Sequence, residues 1–167
     1  MNESLNTQLP ASFREFLAEL NRYEVEYMLI GGYAVGAYGH ARTTGDLDVY
    51  INATPGNAEK MKQACTSYGI DEETLTLEMF LVPRMVVIGK APLRIEIIKK
   101  LDVVDFQYAY IRTKITYADG LPLKVVSLDD LILLKHAAVK GRSQARDSED
   151  LSFLQKLKAA LDRKNRK

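Results

Sequence analysis

The pairs that decide the fold are Gly31-Gly32 and, after thirteen intervening residues, the run Asp46-Leu47-Asp48. The apolar residues 27–30 before the glycines predict a short buried strand, and the alternation over residues 46–51 predicts a second strand. Because side chains alternate across a strand, we expect the two aspartates to share one face. Two carboxylates this close repel each other, so the pattern favours a site for a cation.

A third carboxylate, Glu96, interrupts the apolar run of residues 93–98. A charged residue in a buried strand is costly unless it is paired or bound to a metal. Glu96 is therefore a candidate to complete a metal site, and hard oxygen ligands suit Mg²⁺ or Mn²⁺. The competing interpretation is an edge-strand residue that forms an ion pair with Arg94. Asp102 and Asp105 are rival candidates for the third carboxylate, although they follow the strand.

The glycine pair lies where the first strand is expected to meet a helix. Without side chains, backbone N–H groups at such a junction can approach a phosphate. Each pattern alone is ordinary, because Gly-Gly after a strand is often a plain turn and Asp-x-Asp is often a solvated strand end. Together they place a phosphate-binding loop beside a metal site, which is the arrangement that phosphoryl transfer needs.

The remaining sequence predicts an α+β fold, with a mixed β-sheet, flanking helices and a C-terminal helical pair. Ser12 is expected to cap a first helix, and residues 33–41 and a segment from Thr54 to Gly69 are expected to form two more. Residues 85–88 and 93–98 suggest a hairpin. We predict two regions, a core over residues 1–126 and a helical region over residues 127–167 that packs on it.

Composition excludes several classes of protein. The chain has 167 residues, a net charge of +1 and a single cysteine, Cys65. One cysteine excludes an internal disulfide framework and argues against a cysteine-based zinc site. No apolar run approaches the roughly 20 residues that span a bilayer. We therefore expect a cytoplasmic protein with no membrane partner.

Two blocks of the sequence resemble a known family. The segment Arg42-Thr43-Thr44-Gly45-Asp46-Leu47-Asp48, after the glycine pair, resembles the nucleotidyltransferase superfamily that includes DNA polymerase β, especially small bacterial members related to abortive-infection (AbiEii-type) toxins. Lys135, Arg142 and the run Arg146-Asp147…Asp150-Leu151 are similar to a second block of those toxins. The resemblance covers residues 27–154. One departure is Glu96, because the family usually has Asp at the third carboxylate.

The resemblance implies roles for particular residues. Two groups follow from it: metal-binding and catalytic residues Asp46, Asp48 and Glu96, and nucleotide-binding residues Gly31, Gly32, Arg42, Thr44 and Lys135. The alternatives without a functional role are a surface position for Lys135 and purely structural ion pairs for Asp147 and Asp150. We favour the structural role for that aspartate pair, because their spacing places them on one side of a helix.

The function implied is a magnesium-dependent nucleotidyltransferase that moves a nucleoside monophosphate from a nucleoside triphosphate to an acceptor hydroxyl. The resemblance also suggests a toxin of a toxin–antitoxin or abortive-infection system, with a cognate antitoxin as partner. The acceptor stays open between transfer RNA, protein and a small molecule. One alternative, prompted by Glu96, is a catalytically inactive nucleotide-binding or antitoxin-like module. Another is a structural domain that carries the motif by chance.

Overall fold

The structure is a computed structural model that describes residues 9–40, 42, 44–142 and 144–167. Six α-helices and six strands lie in these residues, together with two short 3₁₀ helices, Glu72–Thr74 and Glu78–Phe80. In chain order they are α1 (Ala11–Arg22), β1 (Tyr27–Ile30), α2 (Gly31–Ala37), β2 (Leu47–Ile51), α3 (Pro55–Tyr68), β3 (Val86–Ile88), β4 (Ile95–Ile98), α4 (Phe106–Tyr110), β5 (Lys114–Ala118), β6 (Leu121–Val125), α5 (Leu128–Arg142) and α6 (Ala145–Asn165).

All six strands form one mixed sheet in the order β3-β4-β2-β1-β6-β5. β2 pairs with β1 in the antiparallel direction and with β4 in the parallel direction. The predicted α+β class, with a mixed sheet and a C-terminal helical pair, is confirmed. The register places Asp48 directly opposite Ile30 on one side and Glu96 on the other. The strands that carry the predicted carboxylates are therefore neighbours at the centre of the sheet.

The helices bury the sheet and hold its central strands in place. α1 packs against α3, α2 packs against β1, β2 and α5, and α5 packs against α6. The inner face of α1 is fully buried, as its apolar spacing predicts, through Phe13, Phe16, Leu17 and Leu20. All four residues of β1 are buried too. In the described part of the chain, no helix is long and apolar enough to cross a membrane.

Helix ends agree with the sequence in some places and correct it in others. Thr54 caps α3 through a bond from the Asn57 N–H, and Gly69 ends that helix in the left-handed conformation. The predicted Ser12 cap is wrong, because α1 begins at Ala11, and the buried Ser12 Oγ has no hydrogen-bond partner in the described residues. The helix expected over 33–41 starts earlier, at Gly31, and ends at Ala37. Residue 41 lies outside the described residues.

The sequence reading missed strand β5. It forms a hairpin with β6 in which Ala118 pairs with Leu121, leaving a two-residue turn at Asp119-Gly120. Both turn residues have positive φ, at 51° and 85°. Asp-Gly between two strands is a strong hairpin signal, so the information was present in the sequence.

Candidate active site

The three predicted carboxylates lie together at the ends of neighbouring strands. Asp46 immediately precedes β2, Asp48 lies within it, and Glu96 is the register partner of Asp48 on β4. Residues paired across neighbouring strands project to the same face of a sheet, so Asp48 and Glu96 stand side by side. The structure therefore places Asp48 and Glu96 side by side, with Asp46 immediately before the strand that carries Asp48.

Gly31 gives the Asp48 carboxylate its space. Gly31 has φ +69°, and a Cβ atom built on it would lie only 2.1 Å from Asp48 Oδ2. A side chain is thus disfavoured by backbone conformation and by a collision with the carboxylate. The other carboxylate oxygen, Oδ1, is buried and has no hydrogen-bond partner in the part of the chain that the structure describes. A buried acceptor without a donor is where a cation or a proton is expected.

The charge state of Asp48 reflects this environment. Its pKa is raised from 3.8 to about 8, first by burial and then by the carboxylates of Glu96 and Asp46, while the positive charge of Lys135 acts in the opposite direction. Burial and like charge both disfavour the ionised form. Asp48 therefore holds a proton more readily than a free aspartate, and a cation beside it would favour the ionised form.

Arg94 provides a cation within this group of side chains. Its Nη2 donates to Asp46 Oδ2 at 3.2 Å and also to Glu96 Oε1. The two carboxylates raise the pKa of Arg94. The ion pair with Glu96, considered above as the alternative to metal binding, is thus present in the structure. Arg94 reaches Asp46 as well, which sequence reasoning missed because that contact joins two strands.

The donor set fits one hard divalent cation. Asp48 and Glu96 offer carboxylate oxygens side by side, and Mg²⁺ commonly uses one or two carboxylates plus water and phosphate oxygens. The described residues include no group of three or more metal-binding side chains arranged to hold one ion. A metal set that includes Asp46 therefore stays a prediction, and Asp48 with Glu96 is the part of it that the geometry favours.

A cleft of about 470 Å³ between the sheet and α5 is lined by Asp48 and Glu96, while Asp46 is not among its lining residues. Its lining includes polar side chains and Gly31 together with an apolar wall: Gly31, Asp48, Glu96, Asp102, Lys135, Ile98, Val103 and Leu134. A cleft of about 540 Å³ beside α3 contains none of the predicted site residues. Asp105 is not part of the site, because its side chain caps α4.

The predicted nucleotide-binding residues divide into two groups. Gly31 and Lys135 line the cleft. Gly32, Arg42 and Thr44 instead pack against one another: a Cβ on Gly32 would lie 2.5 Å from Thr44 Cγ2 and 2.8 Å from Arg42 Nη2. These three residues fix the segment before β2 against α2, and their contact with a nucleotide stays a prediction. Residue 43 of the motif lies outside the described residues.

Lys135 is buried, so the surface interpretation is wrong. Its Nζ lies 3.2 Å from Asp147 Oδ1 and 3.0 Å from Asp150 Oδ2, which joins α5 to α6. The structural ion pairs that we favoured for this aspartate pair are present. Their partner is Lys135, and the side chain of Arg142 lies outside the described part of the chain. Lys135 also lines the cleft, so one residue both joins the two C-terminal helices and belongs to the candidate site.

Asp150 connects the C-terminal helices to the segment before β2. It is fully buried, and Arg42 contacts it twice, through Nε and Nη2, each at 2.9 Å. His40 Nε2 lies 3.7 Å from the same carboxylate, and its ring stacks on Phe153. The sequence analysis did not predict this wider network. The network ties α6 to the residues that lead into Asp46.

The comparison with protein families identifies the chain. A family model described as "Nucleotidyl transferase of unknown function (DUF2204)" matches residues 10–167. The chain belongs to this nucleotidyltransferase family. The match covers both the sheet with its carboxylates and the C-terminal helices. The match confirms the broad resemblance to nucleotidyltransferases. It does not confirm the narrower resemblance to abortive-infection toxins. No curated protein matches the chain.

The first prediction concerns the charge of Asp48. Because the folded pKa of Asp48 lies above the unfolded value, stability of the metal-free protein should fall as pH rises from about 4 to about 8. Asp48→Asn removes this penalty. In chelator, its advantage in unfolding free energy should grow across that window, to roughly 0.5–2 kcal/mol at the upper end.

Denaturant unfolding at several pH values measures this effect. Asp46→Asn is the matched comparison, because Asp46 is 38% exposed, is paired with Arg94 and contributes less than burial and Glu96 to the raised pKa of Asp48. Its pH-dependent gain should be much smaller than that of Asp48→Asn. An Asp48→Asn protein that is less stable than wild type at pH 8 would show that Asp48 has a structural partner instead.

The second prediction concerns Asp150. Asp150→Asn leaves buried Lys135 and Arg42 with less negative charge, and removal of one partner from a buried ion pair costs about 3–5 kcal/mol. Asp129→Asn breaks an exposed pair with Lys158 and should cost less than about 1 kcal/mol. Chemical denaturation of both variants measures the difference. Equal, small losses would mean that the Asp150 network does not hold the C-terminal helices.

Proposed function

We propose that the protein transfers a nucleoside monophosphate from a nucleoside triphosphate to an acceptor hydroxyl and releases pyrophosphate. Membership of a nucleotidyltransferase family supports the general reaction. The observation that carries the proposal is the half-buried Asp48 carboxylate beside Glu96, in a cleft that Lys135 also lines. This combination offers carboxylates for a cation and a positive charge for phosphates in one space.

Asp48 and Glu96 are the residues proposed to hold Mg²⁺ or Mn²⁺, with Asp46 as a further ligand. When bound, such a cation would neutralise charge on the triphosphate and on the attacking oxygen. Gly31 keeps the Asp48 carboxylate accessible from the cleft, since any side chain there would collide with it. Glu96 is only 15% exposed and is the carboxylate we propose to accept the proton of the acceptor hydroxyl.

Lys135 is proposed to stabilise negative charge on the triphosphate. Its ammonium is held between Asp147 and Asp150, so it is fixed in position before any substrate arrives. A fixed charge in a cleft needs no reorganisation at the moment of reaction, which is where electrostatic stabilisation is most effective. We therefore propose that the cation binds the carboxylates and that Lys135 stabilises the negative charge of the phosphates.

A toxin role is a finer proposal that rests on the resemblance to abortive-infection toxins alone. Transfer RNA, protein and small molecules are the proposed acceptor classes, and a cognate antitoxin is the proposed partner. Induced expression in a bacterial host tests the role: the wild-type protein should arrest growth and Asp48→Asn should not. Equal growth with both proteins would contradict the toxin proposal and leave the enzymatic one standing.

The alternative is a nucleotide-binding module without catalysis. The contact of Arg94 with both Asp46 and Glu96 favours it, because these carboxylates already have a positive partner. Such a module would still bind nucleotide, and a ligand at about 100 times its Kd stabilises a protein by about 2.7 kcal/mol. Stabilisation by a triphosphate with no transfer to any acceptor would identify this alternative.

The third prediction tests the enzymatic proposal directly. The purified protein is incubated with each α-³²P-labelled nucleoside triphosphate, Mg²⁺ and one acceptor class at a time, including the protein itself. Label should appear in one class. Asp48→Asn and Glu96→Gln should each retain less than about a tenth of the activity, because the charge stabilisation they support is worth several kcal/mol.

Asp162→Asn serves as the control, since Asp162 is exposed on α6, away from the carboxylates. It should transfer label at the wild-type rate. Transfer by wild type that persists in both active-site variants would place the chemistry elsewhere. Absence of label in every acceptor class would favour the binding module.

A further inference from the structure

Arg94 places a positive charge between two of the predicted metal ligands. A single atom, Nη2, contacts both Asp46 Oδ2 and Glu96 Oε1. The backbone supports this position, because the Leu47 N–H donates to the Arg94 carbonyl oxygen at 2.9 Å. Arg94 is thereby held beside Asp46 immediately before β4, and its side chain contacts Glu96.

The contact is of a kind that a competing ion can displace. The side chains of Arg94 and Asp46 are 40% and 38% exposed, and ion pairs with this much solvent access are weak. A guanidinium also stays charged at any pH that the protein meets, so protonation does not release it. Another cation at the carboxylates, or another anion for the guanidinium, can therefore shift the balance.

We propose that Arg94 is a built-in counterion that neutralises Asp46 and Glu96 in the metal-free protein and competes with a divalent cation for both. The inference rests on the cation site of the proposed function and adds a residue that the family resemblance did not assign. Asp48 is outside the Arg94 contacts, and its Oδ1 has no hydrogen-bond partner among the described residues. The divalent cation therefore meets one available carboxylate and two that Arg94 already holds.

This competition has a consequence for substrate binding. The triphosphate brings both a cation that can replace Arg94 at the carboxylates and an anion to which the released guanidinium can turn. Cation and nucleotide should consequently bind with positive coupling, and coupling between two ligands is reciprocal. The free protein should bind the cation weakly, and the cation–nucleotide complex should be the form that it captures.

The fourth prediction is tested with Mn²⁺ as the probe, without nucleotide. Mn²⁺ binding is followed by electron paramagnetic resonance and calorimetry for wild type, Arg94→Gln, Arg94→Lys and Lys90→Gln. Arg94→Gln should bind Mn²⁺ at least about tenfold more tightly than wild type, because the competing charge is gone. Arg94→Lys should stay nearer to wild type, because it keeps the charge.

Lys90→Gln is the matched control, since Lys90 is an exposed lysine on the same hairpin and its loss changes the net charge equally. It reports the general electrostatic effect alone. If the Arg94→Gln protein binds Mn²⁺ no more tightly than the Lys90→Gln protein, the proposed role of Arg94 is wrong, and the proposed cation site still stands. No Mn²⁺ binding by any protein, with or without a triphosphate, would overturn the cation site and this inference together.

Melting in chelator provides a second measurement. Arg94→Gln should melt lower than wild type in chelator, because Asp46, Asp48 and Glu96 then repel without a counterion, and Mn²⁺ should restore more stability to it than to wild type. A variant that folds only when Mn²⁺ is present satisfies the same expectation. Equal melting of Arg94→Gln and Lys90→Gln in chelator, with equal response to Mn²⁺, contradicts it.

Discussion

The parallel pairing of β2 with β4 is the constraint on which the rest of the site depends. It sets Asp48 opposite Glu96, and a shift of the register by one residue would turn one of the two carboxylates to the opposite face of the sheet. The antiparallel pairing of β1 then brings Gly31 to the edge of the same carboxylate. Two strand registers and the absence of a side chain at Gly31 thus create a half-buried acidic position, whose Oδ1 atom has no hydrogen-bond partner among the described residues.

The C-terminal helices complete the site through a second set of charges. Asp150 holds Lys135 from α5 and Arg42 from the segment before β2, so the helical pair and the carboxylate strand are tied by one buried residue. Buried ion pairs are weak evidence for stability, because desolvation offsets their attraction. Their clearest consequence here is geometric, since Lys135 is fixed where the cleft meets the carboxylates.

The sequence predicted the parts of the structure that depend on local pattern. Alternation identified the strand that carries Asp48, and Thr54 and Gly69 marked the ends of α3 as capping residues do. The contacts of Arg94 with Asp46 and of Asp150 with Arg42 join residues 48 and 108 positions apart. Such pairings depend on tertiary packing, so no local pattern in a single sequence reveals them.

Glu96 illustrates the same limit at one position. Its place within an apolar strand indicated a metal ligand or an ion-pair partner, and the sequence alone did not separate the two. In the structure Glu96 lies beside Asp48 and also accepts from Arg94, so both properties belong to one side chain. The proposed competition between Arg94 and a divalent cation accounts for both properties. Glu96 would be an ion-pair partner of Arg94 without the cation and a metal ligand with it.

The most direct test of the central claim is the location of the cation. Crystals grown with Mn²⁺ and a non-hydrolysable nucleoside triphosphate would show it by anomalous scattering. We expect a manganese peak within coordination distance of Asp48 and Glu96, with the triphosphate in the cleft beside Lys135. A triphosphate bound elsewhere, or bound in the cleft with no manganese at these two carboxylates, would contradict the account.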